Sequence, residues 1–430
     1  MEKEKQDIKQ VLLVATYQGA AQKSICEEHL KELAFLVKTD GKEAVQAVAC
    51  PLKKIEAATF LTKGKLQELV ELALEKKVDA IVFDDEITPA QQRNLEAAFK
   101  LPVTDRTEII LSVFAKRAQT KEAKLQIELA RVKYEAPRLK RLWTHLSRQA
   151  GTSGSGGSGG YTKGEGEKQI EIDRRILKRK ISHLQQQLEE VKAYRETQRQ
   201  SRLRAEIPVF AIIGYTNAGK STLLNALTDA EVFVEDKLFA TLDTTTRKFT
   251  LNNHQEILLI DTVGFIRKLP HLLVAAFKST LEEALEADIL LHLIDASHPM
   301  AEEQAQTTYE VLKELNAANK PIITVFNKID QCQSAAALHR LRMSYPKNVQ
   351  ISALHRQNFE SLQEVMLEEL SRQRQVVDLV IPQSDYAVVS EMMRMGHIVE
   401  QDYEENNIVL KVELPRQLVG KVVRYQVKES

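Results

Sequence analysis

The chain has 430 residues, its 60 Lys/Arg are balanced by 60 Asp/Glu, and 43% of it is hydrophobic. That composition excludes a disordered polyelectrolyte, and three scattered cysteines, Cys26, Cys50 and Cys332, exclude a disulfide scaffold or a Cys-based metal cluster. The apolar runs fall far short of the ~20 residues of a membrane span, "MEKEKQDIKQ" has no secretory apolar core and "YQVKES" carries no prenylation box, so a cytoplasmic protein without an obligate membrane contact is expected, peripheral association being the alternative.

The length suggests two to four domains. In chain order, "VLLVATY" (11–17), "AVQAVAC" (44–50) and "AIVFD" (80–84) read as strands, and "CEEHLKELAFLV" and "KLQELVELALEKK" as amphipathic helices between them. "FKLPVTDR" (99–106) reads as a last strand and exit, so residues 1–105 are expected to form a small α/β domain. From Thr107 to Arg148 the pattern is helical, with a kink or break expected at Pro137. A Gly/Ser stretch, "GTSGSGGSGG" (151–160), follows. Residues 169–204 are helical again, with Ile172, Ile176, Ile181, Leu184, Leu188 and Val191 near heptad spacing. Residues 106–206 therefore read as a helical hairpin with a Gly-rich tip. Within it, 106–204 carries 23 Lys/Arg against 11 Asp/Glu, a net +12 that the rest of the chain offsets. Such a localised basic element suits a polyanionic partner.

From "VFAIIGY" to about Leu370, strands and helices alternate, giving a domain expected over 207–372. A strand, a helix and a hairpin follow, giving a small α+β domain over 373–430. The fold class is thus α/β multidomain: a larger α/β domain preceded by a small α/β N-terminal domain and a long helical hairpin, and followed by a small α+β C-terminal domain.

The chemistry concentrates in the third domain. "GYTNAGKST" (214–222) matches the P-loop pattern after a buried strand and before a helix. Gly214 and Gly219 allow close wrapping of a phosphate, and the amides of Asn217 to Ser221 are expected to bind it. Lys220 is expected on the β- and γ-phosphates and Ser221 on Mg²⁺. The P-loop residues Tyr215, Thr216, Ala218 and Thr222 complete the expected nucleotide contacts.

"IITVFNKID" (322–330) ends in N-K-x-D. Asp330 can accept from guanine N1–H and N2–H₂, a donor pair adenine lacks. Asn327 is expected on the other edge of the base and Lys328 along its plane, with Ile329 between them. In "ISAL" (351–354), the Ala353 amide is expected to donate to the guanine carbonyl, flanked by Ser352 and Leu354.

"ILLIDTVGF" (257–265) ends in D-x-x-G. Asp261 is expected to hold Mg²⁺ through water, and Gly264 to sense the γ-phosphate, with Thr262 and Val263 lining the same loop. "LFATLDTTTRKF" (238–249) is the expected first switch, with Thr241, Thr244, Thr245 and Thr246 all candidates for the Mg²⁺ shell. Phe265 stands where many GTPases carry a water-orienting Gln, so intrinsic hydrolysis should be slow. Asn217 occupies a position that ligates a monovalent cation in several GTPases with a hydrophobic residue at that point, so K⁺ is a candidate cofactor beside Mg²⁺.

With these residues placed, the chain resembles the HflX family of ribosome-associated GTPases. The likeness rests on "DRTEIILSVFAKRAQTKEAKLQIELARVKYEAPRL" (105–139), on "GEGEKQIEIDRR" (164–175), and on "GYTNAGKST", "LFATLD", "DTVGFIRKLP", "NKID" and "SAL" in order. The resemblance selects Thr241 as the switch threonine and places Phe239, Ala240, Leu242 and Asp243 beside the nucleotide. It implies catalytic roles for Lys220, Thr241 and Gly264, with Phe265 replacing the usual Gln. It also implies GTP/GDP exchange on a monomer that binds the 50S subunit and its rRNA, is stimulated by ribosomes, and rescues or splits stalled or stressed ones. Two departures stand out: "DTTTR" replaces the family's D-P-T-T-R, and the Gly/Ser tip is longer than the common form. Some family members are reported to use ATP through the N-terminal domain, but "TKGKLQ" (62–67) is no P-loop. The competing readings are a ribosome-assembly or RNA-modification GTPase, which would need a modifying domain, and a membrane-associated GTPase, which would need a lipid anchor.

Overall fold

The computed structural model describes residues 9–150, 172, 174–191, 193, 207–228, 238–239, 244–270, 287–332, 334–404, 406–415, 419–420 and 422–427. The Gly/Ser tip, most of the 164–175 signature, and Ala240, Thr241, Leu242 and Asp243 lie outside the described residues. The chain forms two compact units. The first takes in the described residues up to Ala193 together with Leu238, Phe239 and Lys268–Pro270; the second holds the remainder.

The first unit is built on strands β1 (Gln10–Tyr17), β2 (Glu43–Pro51), β3 (Ala80–Phe83) and β4 (Val103–Asp105), paired in the order β2-β1-β3-β4 and parallel throughout. Parallel pairing needs long crossovers, and these are helices α1 (Lys23–Thr39), α2 (Lys63–Lys76) and α3 (Pro89–Phe99). Leu12, Val14, Ile81, Phe83, Leu95 and Val103 lie in one apolar core beneath the sheet. Helix α3 goes beyond the elements expected in 1–105, although its start carries a clear signal. Thr88 caps it, Gln91 bonds back in a capping box, and Pro89 sits in its first turn.

Helix α4 (Arg106–Arg117) starts at once from β4 because the Asp105 side chain caps it, accepting from Glu108 N at 3.0 Å. The helical pattern does break, but at Ala118, whose extended backbone ends α4, and not at Pro137. Helix α5 (Lys121–Ala150) then starts where the Thr120 hydroxyl accepts from Ala123 N at 3.1 Å, and it continues past Pro137 without a break. Proline removes one helical hydrogen bond there. The residues on either side are held by a single buried carboxylate: Asp105 accepts from the Tyr134 hydroxyl at 2.7 Å and from the Arg138 guanidinium at 3.0 Å. Arg138 also lies over the Tyr134 ring, 3.5 Å from its centre.

Arg106 is itself buried, paired with Asp84 at 2.9 Å and with Glu32. Asp84 and its neighbour Asp85 also pair with Lys268, at 3.2 and 2.7 Å. A buried guanidinium is tolerated only with such partners, because stripping water from an unpaired charge costs several kcal/mol.

The second long helix, α6 (174–191), packs against α5 through Leu184, Leu177, Ile181, Leu188 and Val191 facing Leu125, Leu129 and Val132, as the expected hairpin requires. Lys180 pairs with Glu128 at 2.7 Å beside that seam. The expected seam is corrected at its start: Ile172 and Ile176 are 47% and 55% exposed, and Leu177 takes the inward place.

The second unit has a six-stranded sheet in the order β10-β9-β8-β5-β7-β6. Its strands are β5 (Val209–Gly214), β6 (Thr245–Thr250), β7 (Glu256–Asp261), β8 (Ile289–Asp295), β9 (Ile322–Asn327) and β10 (Asn348–Gln350). Only the edge strand β6 is antiparallel to its neighbour. Helix α7 (Lys220–Thr228) follows β5, α8 (Ala301–Glu314) follows β8, α9 (Ala335–Ser344) follows β9 and α10 (Phe359–Arg372) follows β10. Phe210, Ile212, Leu223, Leu291, Ile323 and Met366 share its core. Strand β8, "ILLHLID", is buried end to end, which explains a continuous apolar run rather than an alternating one.

The same unit carries a three-stranded antiparallel sheet, β11 (Arg374–Pro382), β13 (Asn407–Pro415) and β12 (His397–Glu404) in spatial order, packed on α11 (Tyr386–Met395). The strand, helix and hairpin expected at this end are all present. Among the described residues no helix is long and apolar enough to cross a membrane.

Candidate functional site

The site gathers at the C-terminal ends of β5, β7 and β9, where loops of a parallel sheet normally hold ligands. The loop between β5 and α7 is the P-loop. Its Gly219 has φ +95°, and a Cβ there would lie 2.4 Å from the Asn327 amide nitrogen, so only glycine fits. Asn217 also adopts a left-handed backbone, φ 62°, which a short amide side chain tolerates, and it is exposed at the tip of the loop.

The D-x-x-G loop is knitted to the P-loop by its backbone. Phe265 N donates to Gly214 O at 3.0 Å, and Thr216 N donates to Phe265 O at 2.7 Å. The Tyr215 hydroxyl accepts from Arg267 N at 2.7 Å. Gly264 is squeezed between the two loops. A Cβ on it would meet the Lys220 ammonium and the Cα and Cγ2 of Thr216, each at 2.9 Å. Phe265 itself is 2% exposed, its ring closed into the core.

Lys220 is buried and donates to Tyr215 O at 2.9 Å and Gly214 O at 3.3 Å. Burial pushes its pKa down to about 8, with Asp261 pulling the other way. The Ser221 hydroxyl donates to Asp261 Oδ2 at 2.6 Å, so the two expected Mg²⁺ residues are already adjacent. Thr262 is fully buried and its hydroxyl donates to Ile212 O at 2.7 Å, tying the D-x-x-G loop to β5. Val263 is buried beside it, and Thr222 is half-buried in the first turn of α7.

At the base-recognition end, Asn327 is a strap. Its amide nitrogen donates to Ala218 O at 2.8 Å and its amide oxygen accepts from Ala353 N at 2.9 Å. The Ala353 N–H, expected to face the guanine carbonyl, is thus also within reach of the Asn327 amide oxygen. Lys328 sits in a left-handed turn, φ 60°, and pairs with Asp295 Oδ2 at 2.7 Å. Asp295 was missed in the sequence, although an Asp closing a buried strand, as in "LHLID", was its signal. Ile329 N donates to Ile351 O at 3.4 Å. Asp330 is exposed, and a hydrogen bond from Ser352 holds its carboxyl below the usual range. Ser352 is buried and Leu354 is 67% exposed. Of the first-switch residues, Thr244 precedes β6 and Thr245 and Thr246 open it. Phe239 is buried with its ring 4.4 Å from that of Phe114 in the first unit, so its side chain packs there.

A strand-loop-helix phosphate cradle, a D-x-x-G loop bonded to it and an N-K-x-D strand end strapped to it define a P-loop GTPase. Three family descriptions match along the chain: "GTP-binding GTPase N-terminal" over 27–115, "GTP-binding GTPase Middle Region" over 117–202, and "50S ribosome-binding GTPase" over 209–328. The protein named GTPase HflX of Chlamydia pneumoniae is 47% identical over 97% of this chain and 88% of its own length. That of Escherichia coli K12 is 40% identical over 90% of each. A GTP-binding protein of Sulfolobus solfataricus, solved with GDP, aligns over 84% of this chain and 98% of its own at 27% identity, with a TM-score of 0.44. The chain belongs to the HflX family of GTPases.

Proposed function

We propose that the chain is a GTP-driven switch for the large ribosomal subunit: its GTP form binds 50S subunits, hydrolysis releases it, and the cycle rescues or splits stalled or stressed ribosomes. The observation that carries this reading is the bonded pair of P-loop and D-x-x-G loop, in a segment matching a description that reads "50S ribosome-binding GTPase". The net +12 of 106–204 supports an rRNA contact by the hairpin. The protein acts as a monomer in the cytoplasm, where ribosomes are.

The residues fit a magnesium ion. Ser221 Oγ and Asp261 Oδ2 lie 2.6 Å apart, both are oxygen donors, and a hard divalent cation prefers such ligands. Ser221, Thr241 and, through water, Asp261 would hold it, and when bound it would neutralise charge between the β- and γ-phosphates. Lys220 binds the same phosphates. Asp330 reads the guanine N–H pair, Asn327 and Lys328 frame the base, and Ala353 shares its N–H between Asn327 and the guanine carbonyl. Gly264 lets the γ-phosphate approach its amide. Asn217, exposed beside the cradle, takes a potassium ion, so turnover is faster in KCl than in NaCl at equal ionic strength. Because the Phe265 ring is buried, it orients no water, and hydrolysis is slow until the 50S subunit stimulates it. Co-sedimentation with 50S subunits in GDP or in a non-hydrolysable GTP analogue, with GTP turnover measured with and without 50S, tests the reading.

A further inference from the structure

Hydrolysis requires something to hold the attacking water, and the side chains around the cradle can be taken in turn. Phe265 is apolar and buried. The Thr262 hydroxyl is committed to Ile212 O and that of Ser221 to Asp261. Lys220 is a pure donor suited to phosphate oxygens.

Thr216 is different. It is 6% exposed, and its hydroxyl has no hydrogen-bond partner among the described residues. A buried hydroxyl left without a partner costs stability, and such groups in native structures call for an explanation. Its backbone is fixed, since its N–H donates to Phe265 O at 2.7 Å. Its location is fixed too: the point 2.9 Å from Thr216 Cα and Cγ2, where a Gly264 Cβ would stand, is also 2.9 Å from the Lys220 ammonium. Thr216 therefore sits where the phosphate-binding lysine and the γ-phosphate-sensing glycine converge.

We propose that Thr216 is a catalytic residue of the hydrolysis, its hydroxyl hydrogen-bonding the attacking water in the role the Phe265 ring cannot fill. The proposal rests on the GTPase reading above. In the reaction the water oxygen bonds to the γ-phosphorus. The bond from that phosphorus to the β–γ bridging oxygen breaks, its electron pair leaves with GDP, and the water's proton ends on the released phosphate. The threonine hydroxyl accepts one hydrogen bond from the water and is not consumed. A hydroxyl that the protein itself leaves unpaired has its partner supplied, on this proposal, by the water that enters with substrate.

The test compares Thr216→Val, which keeps the shape and removes the hydroxyl, with Thr216→Ser, which keeps the hydroxyl and removes the methyl, in the full chain. Single-turnover GTP hydrolysis, GDP affinity and melting temperature are read for each. Thr216→Val should lower the hydrolysis rate about 10- to 100-fold with GDP affinity within about threefold of the parent. Its melting temperature should equal or exceed the parent's, because an unpartnered buried hydroxyl is gone. Thr216→Ser should keep the rate within about threefold. Parental turnover by Thr216→Val overturns the proposal. So does an equal loss in both variants, which would show that the methyl packed at Gly264 is what counts. Failure of the parent chain to bind or hydrolyse GTP would instead sink the GTPase reading itself, and GDP binding shows that each variant is folded.

Discussion

His292 lies at the middle of β8, is 0% exposed, and neither ring nitrogen has a hydrogen-bond partner among the described residues. Its ring makes a T-shaped contact with that of Tyr309, centroids 5.0 Å apart, and Tyr309 stacks on Tyr345 at 5.9 Å. Burial pushes its pKa down to about 3, from 6.5 for the free side chain. The unfolded chain therefore takes up a proton below pH 6.5 that the folded chain refuses. The native state holds its full stability above that pH and loses it as the pH falls towards 3. Between pH 7 and pH 5 the loss from this one group is about 2 kcal/mol, approaching a slope of about 1.4 kcal/mol per pH unit. His292→Leu removes the titration. It also removes two unpaired nitrogens, worth about 1–3 kcal/mol if each stays dry, against an aromatic edge contact of about 0.5–1.5 kcal/mol. The variant should equal or modestly exceed the parent at pH 7 and exceed it by about 2 kcal/mol more at pH 5. Urea unfolding of both proteins at the two pH values, followed by far-ultraviolet circular dichroism, gives the difference, in which carboxylates common to both cancel. A variant with the parent's acid slope, or one clearly less stable at pH 7, would refute the reasoning.

Lys220 carries a second pH dependence. With its pKa near 8, the ammonium that grips phosphate is lost as the pH rises, so GTP affinity measured by titration should fall towards tenfold per pH unit above about 8 and stay flat below about 7. Lys220→Arg, which does not deprotonate in this range, should remove that dependence even if it binds more weakly. In the hairpin, Leu184→Ala should cost about 2–4 kcal/mol of hairpin stability by leaving a cavity, read by hydrogen exchange on α5. Ile176→Ala should change it by less than about 0.5 kcal/mol, because that side chain faces solvent.

The nucleotide cradle was legible because its pattern is local: strand, glycines, Lys and Ser fall within one loop whose geometry the residue types nearly dictate. The N-K-x-D strand end was legible for the same reason. What the sequence concealed is non-local. That Asn327 would engage Ala353 N, or that the Phe239 ring would be buried on Phe114, depends on chain segments far apart in the sequence. Pro137 invited a break because propensity is read locally, whereas Tyr134 and Arg138 are tied to Asp105, a carboxylate some 30 positions upstream. The break at Ala118 and the start of α3 were readable, since Thr120 and Thr88 are ordinary caps, but helical periodicity on both sides of the first, and short polar loops around the second, obscured them. His292 hides inside an apolar run, where nothing in the sequence separates a bonded histidine from an unbonded one.

Whether the nucleotide state sets ribosome affinity is read by sedimenting the full chain with purified 50S subunits, once in GDP and once in a non-hydrolysable GTP analogue, over a series of salt concentrations. Binding should be strong in the analogue, weak in GDP, and fall steeply with salt, by about 10³ between 50 and 200 mM if 6–10 phosphates are contacted as on DNA, with a gentler slope on other nucleic acid forms. Equal sedimentation in both nucleotides, or binding in neither, would contradict the proposed switch.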